Sequence, residues 1–385
     1  MDDGHDGDSQ RPPVATDRDK TYFSYYGMLM HQQNMLLDSV RTTAYHDAIV
    51  GNPADFTGKV VLDIGAGTGI LSFFAAKAGA RRVYAVEASG MAEYAQKLVD
   101  ANGLSKVIQV IQGKIEEVEL PEKVDVIISE PMGVLLVHER MMESFIMGRD
   151  RFLKPRIEGQ PPQLSQMFPC TGCIWLAPFS DIGLFADAVC KIGFWESKDF
   201  HGVDLSVLLP SAAENQFSQV VVGPIDPRSV LATATCHPFD FTTMKVGDFV
   251  NFTIPFAFTA ECTGIVHGIA GWFDVDFVGS TNPRTLSTSP FSETTHWYQS
   301  RFMLSQPIAV NRGQRLVGQL QFAANDQRSC DIEIAIRLEG TDLVVQQTYA
   351  LQDQMYWNLG GSAASLSRES QGIYSGRLTD MLDSS

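Results

Sequence analysis

The tightest constraint on the fold is a short apolar run that ends in closely spaced glycines. Val60-Val61-Leu62-Asp63-Ile64 leads straight into Gly65-Ala66-Gly67-Thr68-Gly69, and a helical pattern, Ile70–Ala78, follows at once. A run of that kind reads as a strand buried on both faces, as in parallel sheets covered by helices. The alternation then repeats: strand-like Val83–Val86 closing on Glu87, helix-like Ala92–Asn102, strand-like Val107–Ile111 and Val124–Ser129, and helix-like Arg140–Phe152, stopped by Pro155. This order predicts βαβ units and a doubly wound, Rossmann-like α/β domain over residues 52–155. Ahead of it, residues 21–51 read as helices, with Met28, Met35, Val40 and Ile49 among polar neighbours. Residues 1–20 read as a polar, disordered arm.

The second half changes character. Val220–Val222, Phe249–Phe258, Ile265–Phe277, Trp297–Leu304, Leu316–Phe322 and Ile332–Leu338 are short, alternating and rich in β-branched or aromatic residues. Turn residues separate them, which predicts a β-barrel-like domain over residues 156–345. Within it Phe185–Leu209 is mixed and carries an apolar stripe at Phe194, Trp195 and Phe200, suited either to a core or to an arm seeking a partner. Residues 346–385 read as a tail, largely disordered, rich in Ser and Gly from Gly360 onward.

Composition narrows the function classes. The net charge of −16 argues against nonspecific nucleic-acid binding, which needs a basic face. It suits a basic peptide substrate, although acidity also serves solubility alone. No apolar run is long enough to span a bilayer, and the N-terminus has no apolar core of a secretion signal. The six cysteines are scattered, so reduced thiols and a cytoplasmic or nuclear address are expected. Cys170 and Cys173 have metal-ligand spacing, but no second such pair or spaced His pair accompanies them, so no metal site is expected.

The glycines at 65, 67 and 69 do not fit the dinucleotide fingerprint, which wants the third glycine one position later, where Ile70 stands. S-adenosylmethionine has no pyrophosphate to rest on a helix end, so its loop passes under the methionine and ribose instead. Glu87, at the end of the next strand, is placed to accept from ribose hydroxyls. A plain tight turn or another nucleotide loop remains an alternative.

Glu130 ends an apolar strand, and Glu139 follows across Pro131–His138, a stretch too apolar for an ordinary exposed loop. Two carboxylates make a natural receptor for a guanidinium, accepting from its planar fork of N–H groups. They would also offset its repulsion by a sulfonium and align one nitrogen for reaction. A helix-start Glu with an unrelated surface Glu is the plainer alternative. Met35, Asp38 and Arg41 share a helix face, and Arg41 is either a cofactor-carboxylate ligand or a surface ion pair. His296, in Thr295-His296-Trp297, is either a site or a core residue.

Together these motifs resemble a known family. Tyr22-Phe23-Ser24-Tyr25-Tyr26, Val61–Leu71, Ala85-Val86-Glu87-Ala88, Ser129-Glu130-Pro131-Met132-Gly133 through Glu139-Arg140-Met141, and Thr295-His296-Trp297-Tyr298 occur in order. The chain is similar to type I protein arginine methyltransferases, and within them to the coactivator-associated branch, as Phe200–Ser206 and Gly271–Val275 support. The resemblance covers roughly Lys20 to Leu338. It implies mono- and asymmetric dimethylation of arginine in proteins such as histones and RNA-binding proteins, with S-adenosylmethionine as donor. Tyr22, Phe23 and Tyr26 would close over the cofactor, with Arg41 on its carboxylate. Asp63, Gly65 and Gly67 would form the pocket, Glu87 would hold the ribose, and Ile115 and Glu116 the adenine. Glu130 and Glu139 would clamp the substrate, and His296 would pair with Asp38 to tune the site. Met35, Met141 and Trp297 would shape the substrate side and product choice. Phe185–Leu209 would be the arm of a head-to-tail homodimer, and no nucleic acid or membrane partner is implied.

Three features depart from the family pattern. Val134 stands where a Tyr is usual, Arg156–Gln166 is longer than the usual linker, and the stretch before Tyr22 is too short for the extra N-terminal domain of animal relatives. The residues alone also admit a small-molecule methyltransferase, or a non-catalytic cofactor-binding regulator of an active homologue, for which Val134 is the support.

Overall fold

The computed structural model describes residues 17–155 and 166–357, with only the backbone of 17–20. Most of the long linker, the first part of the N-terminal arm and the tail from 358 lie outside the described residues.

The N-terminal helical stretch is divided into α1 (Asp17–Tyr26), α2 (Leu29–Leu37), α3 (Ser39–Val50) and the single-turn α4 (Pro53–Phe56). The break between α2 and α3 is chemical. Asp38 caps α3, its carboxylate accepting from the Arg41 amide at 2.9 Å, a bond only a non-helical Asp can make.

The parallel sheet comprises β1 (Val60–Ile64), β2 (Arg82–Glu87), β3 (Ile108–Gln112), β4 (Val126–Ser129) and β5 (Met167–Phe168), interleaved with α5 (Ile70–Lys77), α6 (Met91–Ala101) and α7 (Met141–Phe152). Its order is β3-β2-β1-β4-β5. Every residue of β1 and β4 is buried, which is why both read as continuous apolar runs. The chain leaves β1 toward β2 and β3, then returns to β4 on the other side of β1. That reversal opens a crevice beyond the strand ends, where open α/β sheets bind ligands.

The second sheet contains β6 (Thr171–Phe179), β7 (Gln219–Gly223), β8 (Thr235–Asp240), β9 (Asn251–Thr259), β10 (Gly264–Phe277), β11 (Arg284–Ser287), β12 (Gln299–Val310), β13 (Arg315–Ala324), β14 (Cys330–Leu338) and β15 (Val344–Tyr356). Its order is β8-β6-β10-β12-β7-β15-β14-β13-β9, with β11 paired to β10. Phe239 of β8 packs on Phe252 of β9, so the two ends of the sheet meet and the barrel is nearly closed. Burial alternates along β9 and β14, as one inward face requires. The expected arm, Phe185–Leu209, is part of a longer helical insertion made of α8 (Ile182–Gly193), two short turns and α9 (Leu209–Phe217), spliced between β6 and β7.

Several expectations need correction. The tail expected from residue 346 is a barrel strand as far as Tyr356; Val345, Tyr349 and Leu351 face inward, but interleaved Gln and Asp dilute the pattern. Helix α1 begins at Asp17, inside the expected arm, whose earlier residues lie outside the described ones. Strands β6 and β8 carry Cys, Gly, Pro and His among their apolar residues and have little strand signature in sequence. Reduced thiols hold for Cys170, Cys190, Cys262 and Cys330, but Cys173 is joined to Cys236. Neighbouring antiparallel strands β6 and β8 bring their Cα atoms to 6.1 Å, a relation no spacing could disclose.

The two sheets share one continuous core. Asn52 accepts from the Thr281 and Asn282 amides at 2.9 and 2.7 Å, and Arg149 donates to the carbonyls of Phe241 and Met244 at 2.6 and 2.7 Å. These ties fix the barrel against the crevice.

Candidate active site

A cavity lies in that crevice, with about 1030 Å³ of empty space that includes the solvent at its mouth, walled by α1, by the loops after β1, β2 and β4, and by the β13–β14 turn. Its floor is the glycine loop. Gly65 and Gly67 take φ of +68° and +55°, which L side chains adopt at a cost. A Cβ on Gly65 would meet Met141 Cε at 2.1 Å, and one on Gly67 would meet Gln32 Oε1 at 2.8 Å. Glu87 is pinned beside this floor, accepting from the Gly67 amide and the Ser89 amide, each at 2.7 Å. Ile115 and Glu116 also line the cavity, and Glu116 accepts from Ser144 Oγ at 2.5 Å. The floor thus combines bare backbone with an acidic group at the end of β2, which suits an adenosyl ligand.

Asp63 does not border this space. It is fully buried beneath the loop, accepts from Ser72 Oγ at 2.7 Å, and burial pushes its carboxyl up to about 7. Its role is to tie β1 to α5, which corrects the expectation of a ligand contact.

Glu130 and Glu139 both line the cavity. The loop between them is locally strained: Leu135, Leu136, Glu139 and Arg140 all have positive φ, at 53°, 70°, 72° and 57°. Such backbone persists only where the surroundings over-determine it. Here Trp297 Nε1 donates to Met132 O at 2.9 Å, His138 Nδ1 meets Ser329 Oγ at 2.9 Å, and Arg140 donates to Asn325 O at 2.7 Å. Val134 is buried in the loop and does not line the cavity.

Each carboxylate already has partners. Glu139 accepts from Tyr26 Oη at 2.6 Å and Tyr22 Oη at 3.0 Å, so α1 is bonded to the far side of the cavity. Burial raises the Glu139 carboxyl above its usual range, the two hydroxyls oppose that rise, and nearby Glu130 adds to it. Glu130 accepts from Arg41 Nη2 at 2.8 Å and Nε at 3.1 Å. The residue expected to hold a cofactor carboxylate is thereby linked to one of the two expected clamp residues.

Phe23, Met35 and Met141 line the cavity. His296 and Asp38 do pair, with Nδ1 2.7 Å from Oδ2 and the His296 amide donating to the same oxygen at 2.8 Å. Neither side chain borders the cavity, so the pair fastens the α2–α3 corner to the barrel rather than touching a reactant. Trp297 is also behind the wall, buried and bonded to Met132 O, and so supports the glutamate loop instead of contacting a substrate. Sequence reasoning missed Gln32 and Arg328, both in the lining. Gln32 bridges from the Tyr26 carbonyl to the glycine floor, and Arg328 comes from a polar hairpin turn; neither has a local motif.

Residues 173–342 match the arginine methyltransferase oligomerization subdomain, and residues 61–156 match a methyltransferase domain. The chain is 52% identical over 318 residues to probable histone-arginine methyltransferase 1.3 of Arabidopsis thaliana, covering 82% of this chain and 58% of that one. It is 47% identical over 335 residues to histone-arginine methyltransferase CARMER of Drosophila grimshawi, covering 87% and 60%. The chain therefore spans about three fifths of the length of these relatives. A solved Trypanosoma brucei PRMT1 enzyme-prozyme heterotetrameric complex with AdoHcy superposes with a TM-score of 0.76 at 33% identity, over 85% of this chain and all (100%) of that one. Protein arginine methyltransferase 10 of Arabidopsis thaliana, solved in an open conformation, gives a TM-score of 0.76 at 35% identity, over 85% and 99%.

Proposed function

From the premise that the chain belongs to the protein arginine methyltransferase family, we propose that it methylates arginine side chains of proteins with S-adenosylmethionine as donor. The carrying observation is that one cavity joins the Gly65–Gly67 floor and Glu87 to the carboxylates Glu130 and Glu139. S-adenosylmethionine supplies an electrophilic methyl group when bound. Gly65, Gly67 and Glu87 would hold its adenosyl part, Glu116 and Ile115 the base, and Arg41 its carboxylate. Tyr22, Phe23 and Tyr26 would cover the site and exclude water.

Arginine is a poor nucleophile because its lone pairs are delocalised. Glu139 and Glu130 would accept from the guanidinium N–H groups, draw its positive charge away from one nitrogen, and aim that nitrogen at the donor. Met35 and Met141 line the same cavity; they would narrow the space beside the clamp and so favour placing both methyls on one nitrogen, an asymmetric product. Histone tails and RNA-binding proteins are the substrates to test first, and both nucleus and cytoplasm are suitable sites of action.

A head-to-tail homodimer fits the surface. Phe194, Phe200, Val203 and Val207 are exposed on the arm, and Met28, Leu29, Met30 and Leu37 are exposed on the N-terminal helices. Two different apolar patches on one chain suit a reciprocal contact in which the arm of each copy meets the N-terminal helices of the other. The reading as a non-catalytic regulator leans on Val134, which does not line the cavity.

The test is incubation of the purified chain with labelled S-adenosylmethionine and a histone-tail peptide, followed by mass spectrometry. Mono- and dimethylarginine are expected, with dimethylamine lost on fragmentation. A peptide left unmodified while small-molecule acceptors are methylated would overturn the proposal.

A further inference from the structure

The turn between β13 and β14 meets Glu139 from the barrel side. Arg140 donates to Asn325 O, and His138 bonds Ser329 Oγ, so the residues on both sides of Glu139 are tied to this turn. The turn is folded by Asn325 Oδ1, which accepts from the Gln327 and Ser329 amides at 3.0 and 3.2 Å. Between those residues Arg328 takes φ +54°, and its guanidinium carbon lies 4.3 Å from the Tyr22 ring centroid and 5.6 Å from that of Phe23. Arg328 lines the cavity together with Tyr22, Phe23 and Glu139. One cation from the barrel thus touches two aromatics of α1, and one of those aromatics is hydrogen-bonded to the carboxylate that the same turn supports.

We propose that Arg328 is a positioning residue that latches α1 over the cavity through Tyr22 and Phe23 and supplies fixed positive charge beside Glu139. A guanidinium over an aromatic face is attracted by the ring quadrupole, and more strongly where water is excluded. The same charge offsets the cost of keeping Glu139 buried as a carboxylate between substrates. Arg328 lowers the proton affinity of Glu139, against burial and against Glu130. Among the described residues, the groups that act on Glu139 are Tyr22 and Tyr26 from α1 as donors, Glu130 as repulsion and Arg328 as attraction, while the Tyr25 and Tyr356 hydroxyls feel its charge. The latch makes lid closure depend on the barrel, not only on the cofactor domain. Only the kinetic arm of the test rests on the proposed methyl transfer.

The test compares Arg328→Met, which keeps length without charge, with Arg328→Lys, which keeps charge without the planar stack. Hydrogen exchange of α1 amides in the unliganded chain, calorimetric binding of S-adenosylhomocysteine, and the pH profile of kcat/KM for an arginine peptide are measured. For Arg328→Met we expect α1 exchange to rise and S-adenosylhomocysteine affinity to fall, each by about tenfold, as loss of a partly desolvated cation–π contact implies. Its acidic limb of kcat/KM moves to higher pH, and Arg328→Lys restores that limb while recovering α1 protection only in part. Unchanged α1 exchange and unchanged affinity in Arg328→Met would overturn the latch, and an equal shift of the limb in both variants would overturn the charge role. If the wild-type chain makes no methylarginine, the functional reading fails, while exchange and binding still decide the latch.

Discussion

Arg41 and Glu130 form a one-sided pair. Arginine Nη2 and Nε both reach Oε2 of the glutamate, at 2.8 and 3.1 Å, while Glu130 Oε1 is buried with no hydrogen-bond partner among the described residues. A buried acceptor without a donor is costly, and it persists where strain, a functional role or bound water accounts for it. On the proposed reading this oxygen would accept from a substrate N–H, while Arg41 holds the other oxygen in place.

That asymmetry separates the two clamp residues by experiment. Glu130→Gln leaves Arg41 buried without its counter-charge, so chemical denaturation is expected to show a loss of about 3–5 kcal/mol along with activity. Glu139→Gln removes a carboxylate that burial disfavours, so the fold should be as stable as before. Methylation should nonetheless drop by about 10²–10³-fold with S-adenosylhomocysteine binding retained, as for loss of a preorganised electrostatic partner. Equal stability of both variants would refute this division of roles.

Gly67→Ala tests the floor. Its Cβ would press on Gln32 Oε1 in a left-handed conformation that costs about 1–2 kcal/mol for an L residue. Gly103→Ala carries a similar backbone cost, at φ +69°, but its Cβ meets open space. Calorimetry should find S-adenosylhomocysteine binding weakened at least about tenfold in Gly67→Ala and unchanged in Gly103→Ala, the ratio that ~1.4 kcal/mol of added interference gives.

His138 makes the glutamate loop sensitive to acid. Burial lowers its pKa from the ordinary 6.5 to about 4, so the folded chain resists a proton that the unfolded chain accepts. A depressed folded value contributes stability that is fully present above pH 6.5 and is lost as pH falls toward 4. Within that window stability should fall by up to about 1.4 kcal/mol per pH unit from this one group. Replacing His138 by Gln should flatten the slope between those pH values in denaturation curves; an unaltered slope would mean the ring is not held neutral.

The Asp38–His296 bond joins the α2–α3 corner to the barrel without entering the cavity. Asp38 is held below its usual range by bonds from the His296 ring and the Arg41 and His296 amides, although burial opposes this. His296→Ala should reduce kcat/KM with S-adenosylhomocysteine affinity nearly intact. A double-mutant cycle with Asp38→Asn should return a coupling of about 1–3 kcal/mol. Additive effects would show that the two residues act separately.

Much of this site was legible in the sequence because its parts are local. The run Val60–Ile64 and its glycines specify a strand, a turn and a bare floor, since burial pattern and positive φ are properties of neighbouring residues. Glu87 and Glu130 are placed by the ends of their own strands. What depends on residues distant in sequence could not be read that way. The strand from Val344 to Tyr356 exists because β7 and β14 accept it, the disulfide because β6 and β8 are neighbours, and the barrel's own cation in the cavity, Arg328, because a barrel turn folds back onto α1. Trp297 and Asp63 belong to recognisable motifs, yet only packing reveals that they support the wall and do not line the cavity. By itself the sequence determined the parallel sheet, the floor and the carboxylate pair, because periodicity and backbone conformation are set over a few residues. Tertiary structure alone decided which oxygen of Glu130 stays open and which charges surround Glu139, because those depend on where long-range contacts bring side chains out of water.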